Sequence, residues 1–190
     1  KAVQTGGPSG GCLTEKHLDI QIDFDSLTAA GSMMGSGGMI VMDEDDCMVS
    51  IAKFYLDFTV EESCGKCAPC RIGNKRLNEM LEKICEGKGT MHDLDLLRNL
   101  SHVVKDTSLC GLGQTSPNPV LSTMDNFMDE YLAHVVDHKC PSGQCKALLQ
   151  YIIEPENCVG CTACARNCPV NAIAGERKGV HVIDQETCIK

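Results

Sequence analysis

Three cysteines at intervals of three residues, Cys64, Cys67 and Cys70, form the segment of the chain with the clearest chemical potential. Thiolates bind metals, and this short spacing brings three of them to one face of a [4Fe–4S] cluster, which takes four cysteine ligands. The fourth ligand must therefore be remote. We predict Cys110, because the glycines that follow it allow the backbone to approach a cluster closely. Cys85 is the competing candidate, but it falls on an apolar helical stretch, where a buried free thiol is the usual outcome.

A second run, Cys158-x2-Cys161-x2-Cys164-x3-Cys168-Pro169, resembles the cluster-binding run of bacterial ferredoxins. In that pattern three thiolates bind one cluster and the fourth crosses to another. Cys158, Cys161 and Cys164 are therefore assigned to one cluster, and Cys168 and Cys188 to a second. The alternative, a zinc-binding cysteine tail, is less favoured because four-coordinate zinc has no use for the crossed cysteine.

The end of the sequence begins to repeat this run. Residues 185–190, Gln-Glu-Thr-Cys-Ile-Lys, realign with residues 155–160, Pro-Glu-Asn-Cys-Val-Gly. A second copy of the motif thus starts where the sequence stops. We expect the natural protein to continue beyond Lys190 and to supply the missing thiolates.

A further group of possible ligands comprises His134, His138, Cys140 and Cys145. A thiolate pair with a nearby histidine provides three donors for a tetrahedral zinc site, which needs four. Cys47 is a candidate for the fourth position because no other role explains it, and His138 is the local alternative. A surface histidine beside two buried thiols is an equally valid interpretation of this spacing.

Composition narrows the class of protein. The 190 residues include fourteen cysteines, no tryptophan and 4% aromatic residues, so metal centres rather than an aromatic-rich core are expected to organise small units. Repeated C-x2-C steps favour metal ligation over disulfides and thus a reducing cytoplasm. The net charge of −9 argues against nucleic-acid binding. No segment approaches the roughly 20 apolar residues of a membrane span.

Hydrophobic patterning predicts an α+β chain. The alternation of Leu18, Ile20, Ile22 and Phe24, followed by the segment 39–42, is typical of strands between glycine-rich turns. An acidic run, 43–46, is predicted to cap a helix that leads to Cys64. Further helices are predicted over about 71–86, 91–105 and 118–137. The stripe of Leu77, Met80, Leu81 and Ile84 indicates bundle core.

Two segments carry a family resemblance. Residues 63–71, Ser-Cys-Gly-Lys-Cys-Ala-Pro-Cys-Arg, with the later Leu-Cys-Gly-Leu-Gly of 109–113, resemble the C-terminal half of the NADH-oxidising, 51 kDa-type flavoprotein subunit of respiratory complex I. The glycine-rich residues 6–13 resemble the β-grasp-like ligand-binding segment of that family. The additional ferredoxin-like tail is similar to the B subunit of electron-bifurcating, NAD(P)-linked [FeFe]-hydrogenases and to related formate dehydrogenase subunits.

The resemblance implies a domain order. A β-grasp-like segment is expected over 1–42, a four-helix cluster-binding bundle over 43–138, a hinge over 139–147 and an incomplete ferredoxin-like module with two [4Fe–4S] clusters over 148–190. In the hydrogenase relatives a zinc site lies at the hinge, which favours the set Cys47, His134, Cys140 and Cys145. FMN and NAD(P) are expected in a domain that precedes residue 1, so no dehydrogenase activity is expected from these residues alone.

The implied function is electron transfer through [4Fe–4S] clusters in the diaphorase subunit of a bifurcating hydrogenase. The equivalent subunit of an NAD-dependent formate dehydrogenase or of a complex I-like enzyme is the alternative within this class. A zinc-organised interaction module is the alternative from another class. Expected partners are a thioredoxin-like [2Fe–2S] subunit, an iron–sulfur catalytic hydrogenase subunit and a free ferredoxin.

Overall fold

The computed structural model describes residues 1–190, which fold as two compact units, Lys1–Leu148 and Leu149–Lys190. Each unit contains helices and a small antiparallel sheet, so the mixed helix and strand content expected from the sequence is present. The segment 139–147, predicted as a hinge, lies inside the first unit. None of the helices combines the length and the apolar character needed to cross a membrane. The finer descriptions, β-grasp-like segment and four-helix bundle, stay predictions.

The first unit opens with a three-stranded antiparallel sheet. Strand β1 (Ala2–Thr5) lies in the centre, between β2 (Cys12–Leu13) and β3 (Met39–Met42). The strand at 39–42 agrees with the prediction.

The predicted strand at 18–24 is wrong. A 3₁₀ turn covers Glu15–His17 and helix α1 covers Phe24–Ala29, while Leu18, Ile22 and Phe24 are exposed. Asp23 starts α1 by accepting a 2.7 Å hydrogen bond from the Ser26 backbone N–H. Because Leu18, Ile22 and Phe24 face solvent, the apolar alternation has no buried face to pack as a strand.

Six helices complete most of the first unit. They are α2 (Met48–Glu62), α3 (Asn74–Cys85), α4 (Met91–Thr107), α5 (Gly111–Thr115), α6 (Asn118–Asn126) and α7 (Met128–Val135). A π-helical turn, Pro69–Gly73, precedes α3. The predicted helix over 118–137 is divided at Phe127, whose φ of −135° and ψ of 39° are not helical. The short helix α5 was not predicted.

The core of this unit lies among α2, α3, α4, α6 and α7. The α3 stripe is as predicted: Leu77, Leu81 and Ile84 are fully buried and Met80 packs against them. Tyr131 of α7 is also fully buried, and its hydroxyl lies 2.8 Å from the Thr123 hydroxyl of α6. Burial of this apolar stripe holds α3 in place, and with it the π-helical turn that carries Cys70.

The start of α2 is stabilised from a distance. The acidic run 43–46 does not cap this helix; its N-cap is Cys47, which makes no side-chain capping bond. The buried carboxylate of Glu130 on α7 accepts the Met48 backbone N–H at 3.0 Å instead. Because α2 begins against α7, Cys47 is brought to the helix that carries His134.

The second unit is small. Helix α8 (Ala163–Asn167) is followed by a hairpin of β4 (Ile173–Ala174) and β5 (Val182–Ile183). Gly160 has a φ of +64°, and a Cβ at this position would lie 2.5 Å from the Lys178 Cα. Glycine is therefore required where the cysteine loop crosses the hairpin turn.

Two adjacent leucines on α4 provide a test of the core. Leu97 is fully buried, whereas Leu96 is 43% exposed. We expect Leu97→Ala to lower the free energy of unfolding by about 2–5 kcal/mol, because it leaves a cavity, and Leu96→Ala to cost well under half of that. Denaturant unfolding of both variants is the measurement; equal costs would contradict this description of the core.

Candidate metal centres

The first candidate centre lies where α2 ends. Ser63 caps α2, and the chain then passes through Cys64 and Cys67 to Cys70 in the π-helical turn. Cys70 is buried, Cys67 is partly buried, and Cys64 is exposed. Cys110 is exposed and is the N-cap of α5. The four predicted ligands thus occupy two segments that the helical core supports.

These two segments are in contact. The backbone N–H groups of Leu109 and Cys70 donate hydrogen bonds to the Cys67 sulfur. These bonds, with Leu109 having the larger effect, hold the pKa of the Cys67 thiol below its usual range. A Cβ at Gly113 would lie 3.0 Å from the Cys70 Cβ and 2.4 Å from the Ser108 Oγ. Glycine at 113 therefore permits α5 to approach Cys70.

Polar groups surround the Cys70 sulfur. The Asn74 Nδ2 donates to it at 3.4 Å, and the Ser63 Oγ lies 3.3 Å away. Hydrogen-bond donors aimed at sulfur stabilise a thiolate and fit the anionic ligand set of an iron–sulfur cluster. The residues present therefore suit the predicted cluster.

Cys85, the competing fourth ligand, lies elsewhere. It is the last residue of α3, a helix of 12 residues that begins four positions after Cys70. At about 1.5 Å per residue, α3 alone separates the two by about 18 Å. Cys85 instead packs against the core and contacts the thiol of Cys145. Cys110 directly follows Leu109, which contacts Cys67, so its position favours it over Cys85. The assignment of Cys110 as the fourth ligand stays a prediction.

The second candidate centre comprises Cys47, His134, Cys140 and Cys145. All four are buried, and their ligand atoms lie within 4.8 Å of one another. The His134 Nε2 lies 3.4 Å from the sulfurs of both Cys47 and Cys145. His138, the local alternative, is outside this group: it is exposed, and its Nδ1 lies 3.1 Å from the Gly87 carbonyl oxygen.

The orientation of His134 suits metal binding. Its Nδ1 lies 2.7 Å from the Glu130 carbonyl oxygen, which only accepts, so Nδ1 carries the proton. When the imidazole is neutral, Nε2 then has a lone pair available for a metal ion. A histidine fixed through its second nitrogen in this way is typical of metal ligands.

Burial and mutual contact shape the charges of this group. Burial lowers the pKa of His134, but contact with the Cys47 thiol and the Glu130 carbonyl outweighs it and raises the pKa to about 9. Burial has the opposite effect on the thiol of Cys140, whose pKa it raises. The Ser142 hydroxyl, the Cys145 backbone N–H and the charge of His134 outweigh burial and lower this pKa to about 6.

The two remaining thiols, those of Cys47 and Cys145, keep their protons to a higher pH than an ordinary cysteine does. Contact with Cys145, followed by burial, raises the pKa of Cys47. Contact with Cys47 favours the thiolate of Cys145, but contact with Cys85 and burial outweigh it and raise the pKa. Contact with other thiols and burial therefore oppose the ionisation of both. A bound cation would remove this opposition, because it stabilises several thiolates at once.

The second unit carries five predicted ligands: Cys158, Cys161, Cys164, Cys168 and Cys188. The Cys168 sulfur accepts the Ala172 backbone N–H at 3.3 Å. His181 is buried, and its Nδ1 lies 3.2 Å from the Gly179 carbonyl oxygen and 4.0 Å from the Cys158 sulfur. The assignment of these thiols to two clusters stays a prediction.

Sequence reasoning missed several residues of these centres. Asn74 follows Cys70 by four positions, and Glu130 precedes His134 by four, so each pair shares one helical face. That spacing was a usable signal. No local signal marks Ser116, whose hydroxyl donates to the Asn74 Oδ1 at 2.8 Å across 42 residues of sequence.

Two family models match the chain. Residues 50–134 match the NADH-ubiquinone oxidoreductase-F iron–sulfur binding region, and residues 151–174 match the 4Fe-4S binding domain. The first match contains the run at 64–70 and Cys110, and the second contains the run at 158–168. The family comparison thus supports [4Fe–4S] binding at the cysteine runs of both units.

Curated relatives are longer proteins. The NADP-reducing hydrogenase subunit HndC of Solidesulfovibrio fructosivorans is 65% identical over 181 residues, which are 95% of this chain and 37% of the relative. The F-type NADH-quinone oxidoreductase polypeptide of Mycobacterium tuberculosis is 40% identical over 136 residues, which are 72% of this chain and 31% of the relative. The chain therefore spans about a third of the length of these relatives.

Solved structures agree with these matches. The crystal structure of an NAD+-reducing [NiFe]-hydrogenase in the H2-reduced state superposes with a TM-score of 0.64 and 32% identity. The alignment covers 70% of this chain and 23% of that one. The air-oxidised state gives the same values.

Gly113 and Gly111 form a matched pair for testing the first centre. We expect Gly113→Ala to displace Cys70 or Ser108 and to lower the iron and acid-labile sulfide bound per chain by about one cluster. A Cβ at Gly111 has no neighbour within 4 Å, so Gly111→Ala should retain full content. Equal metal content in the two variants would show that close packing at Gly113 does not support the centre.

Proposed function

We propose that this chain transfers electrons through [4Fe–4S] clusters. It belongs to the family of F-type NADH-quinone oxidoreductase subunits and their NAD(P)-linked hydrogenase counterparts. It corresponds to the C-terminal part of such a subunit. The observation that carries the proposal is the coincidence of two iron–sulfur family matches with the two cysteine runs. Cys64, Cys67, Cys70 and Cys110 would hold the cluster of the first unit.

A bound [4Fe–4S] cluster supplies one-electron transfer at a potential that the protein adjusts. The contribution of this chain is to hold the thiolates and to stabilise their charge. Backbone N–H groups donate hydrogen bonds to the Cys67 sulfur. The Asn74 amide donates to the Cys70 sulfur, and the Ser63 hydroxyl lies beside that sulfur. Cys70 faces the interior while Cys64 and Cys110 are exposed, which leaves one side of the centre accessible to an electron donor or acceptor.

The finer proposal is the diaphorase subunit of an NAD(P)-linked hydrogenase complex. It is supported by the match to the NADP-reducing hydrogenase subunit, which extends over 95% of this chain and so includes most of the second unit. The match to the complex I-type relative covers 136 residues, fewer than the 148 of the first unit. FMN and NAD(P) would bind residues outside this chain.

Electron bifurcation, a formate dehydrogenase role and a cytoplasmic location stay predictions. So do the expected partners, a thioredoxin-like [2Fe–2S] subunit, an iron–sulfur catalytic subunit and ferredoxin. Co-purification of the natural complex, followed by identification of its subunits, separates the hydrogenase proposal from the complex I-like and formate dehydrogenase alternatives.

We also propose that Cys47, His134, Cys140 and Cys145 bind zinc. Three thiol sulfurs and one imidazole nitrogen are a common donor set for structural zinc, and four protein ligands leave no open position for catalysis. The ion would join α2 and α7 to the segment that follows α7. Its role is therefore structural.

Iron–sulfur spectroscopy tests the electron-transfer proposal. We expect EPR of the anaerobically reduced, full-length natural protein to show [4Fe–4S] signals, and Cys110→Ser to lose one of them. Cys85→Ser should retain all of them, because Cys85 lies at the far end of α3. Absence of any [4Fe–4S] signal from the unmodified protein would overturn the proposal, as would stoichiometric zinc without iron, which is expected of an interaction module.

Metal analysis tests the zinc site. We expect Cys145→Ser to lose one zinc per chain while the cluster signals persist, because the site is separate from the cysteine runs. Cys12→Ala is the control, since this buried thiol lies outside the group of four ligands. Unchanged zinc content in Cys145→Ser would show the assignment to be wrong.

A further inference from the structure

We propose that Asn74, held in place by Ser116, sets the reduction potential of the cluster that Cys70 helps to bind. The inference rests on the proposed function and assigns a positioning role to two residues that lie outside the cysteine motif. Neither residue would touch iron; both would act through the sulfur of Cys70.

The geometry around Asn74 is constrained at both ends of its amide. Asn74 is 1% exposed; its Nδ2 lies 3.4 Å from the Cys70 sulfur, and its Oδ1 accepts from the Ser116 hydroxyl at 2.8 Å. Ser116 is 2% exposed. Both hydrogen-bonding partners are therefore shielded from bulk water.

The chemistry of a ligating thiolate selects this orientation. A cysteine bound to iron has lost its proton, so its sulfur only accepts hydrogen bonds. The amide must then present Nδ2 to Cys70 and Oδ1 to Ser116. The Ser116 hydroxyl also lies 3.1 Å from the Gly113 carbonyl oxygen, but it has one proton to donate. Donation of this proton to the Asn74 Oδ1 prevents a rotation of the amide that would direct Oδ1 at the Cys70 sulfur.

This hydrogen bond favours the reduced cluster. Reduction adds negative charge to the iron–sulfur core and its thiolates, and an N–H donor aimed at a ligand sulfur stabilises that charge. The interaction is stronger in a buried site, where the effective dielectric constant is low. The amide is thus expected to raise the reduction potential.

Asn74 and Ser116 also connect the two ligand-bearing segments. Asn74 begins α3, directly after the turn that carries Cys70, while Ser116 caps the C-terminus of α5, which starts after Cys110. The pair therefore holds both segments in register as well as orienting the donor.

The test compares reduction potentials in the full-length natural protein by EPR-monitored titration. We expect Asn74→Leu to decrease the equilibrium constant for reduction about tenfold, a shift of about 59 mV to lower potential for one electron. Ser116→Ala, which frees the amide to rotate, should shift the potential in the same direction by less. Ser116→Thr keeps the hydroxyl and should restore the original value.

Asn78→Leu is the matched control, because Asn78 lies one turn further along α3 and bonds to Asp57 rather than to sulfur. The clusters of the second unit serve as an internal reference and should keep their potentials in every variant. An unchanged potential in Asn74→Leu with the cluster present would overturn the inference but not the proposed function.

A purely structural role would have a different signature. Suppose that Asn74→Leu and Ser116→Ala both bound no cluster while Asn78→Leu bound it normally. Asn74 and Ser116 would then be needed for cluster assembly, and the inference that they set the reduction potential would be wrong. Absence of the cluster from the unmodified protein would instead refute the proposed function itself.

Discussion

Negative charge on sulfur, held away from bulk water, is the constraint on which this structure depends. A buried thiolate is costly unless hydrogen-bond donors or a cation compensate it. Such donors are backbone N–H groups at the partly buried Cys67 and the amide of Asn74 at the buried Cys70. At Cys47 and Cys145, where contact with other thiols and burial raise the pKa, a bound cation would compensate the thiolate charge.

The surrounding helices serve mainly to bring these groups together. The apolar stripe of α3 packs into a core shared by α2, α4, α6 and α7, and the π-helical turn before α3 places Cys70 at the edge of that core. Packing is close at Gly113, where α5 passes over Cys70. A small helical core with few aromatic residues can thus position ligands when glycine permits close approach.

Two centres share the first unit but differ in chemical character. The cysteine run and Cys110 have both exposed and buried members, which suits electron exchange with a partner. The set of Cys47, His134, Cys140 and Cys145 is wholly buried, which suits a structural ion. The proposed electron transfer and the proposed joining of segments would therefore fall to separate sites in the same unit.

The sequence by itself determined the features that depend on short-range spacing, and tertiary structure decided the contacts between distant segments. The cysteine runs and the buried face of α3 follow from intervals of three and four residues along one segment, and the strand at 39–42 follows from a short apolar run after glycines. The same reasoning misplaced the apolar residues at 18–24, because Leu18, Ile22 and Phe24 are exposed and α1 begins at Phe24. Long-range pairs behave differently: Cys47 meets His134 across 87 residues, Met48 is capped by Glu130 across 82, and Asn74 is held by Ser116 across 42. No local pattern encodes these pairs, since each arises from the packing of whole helices. Spacing along one segment thus determined which residues have the chemistry to bind metal, whereas helix packing decided which distant partners they meet.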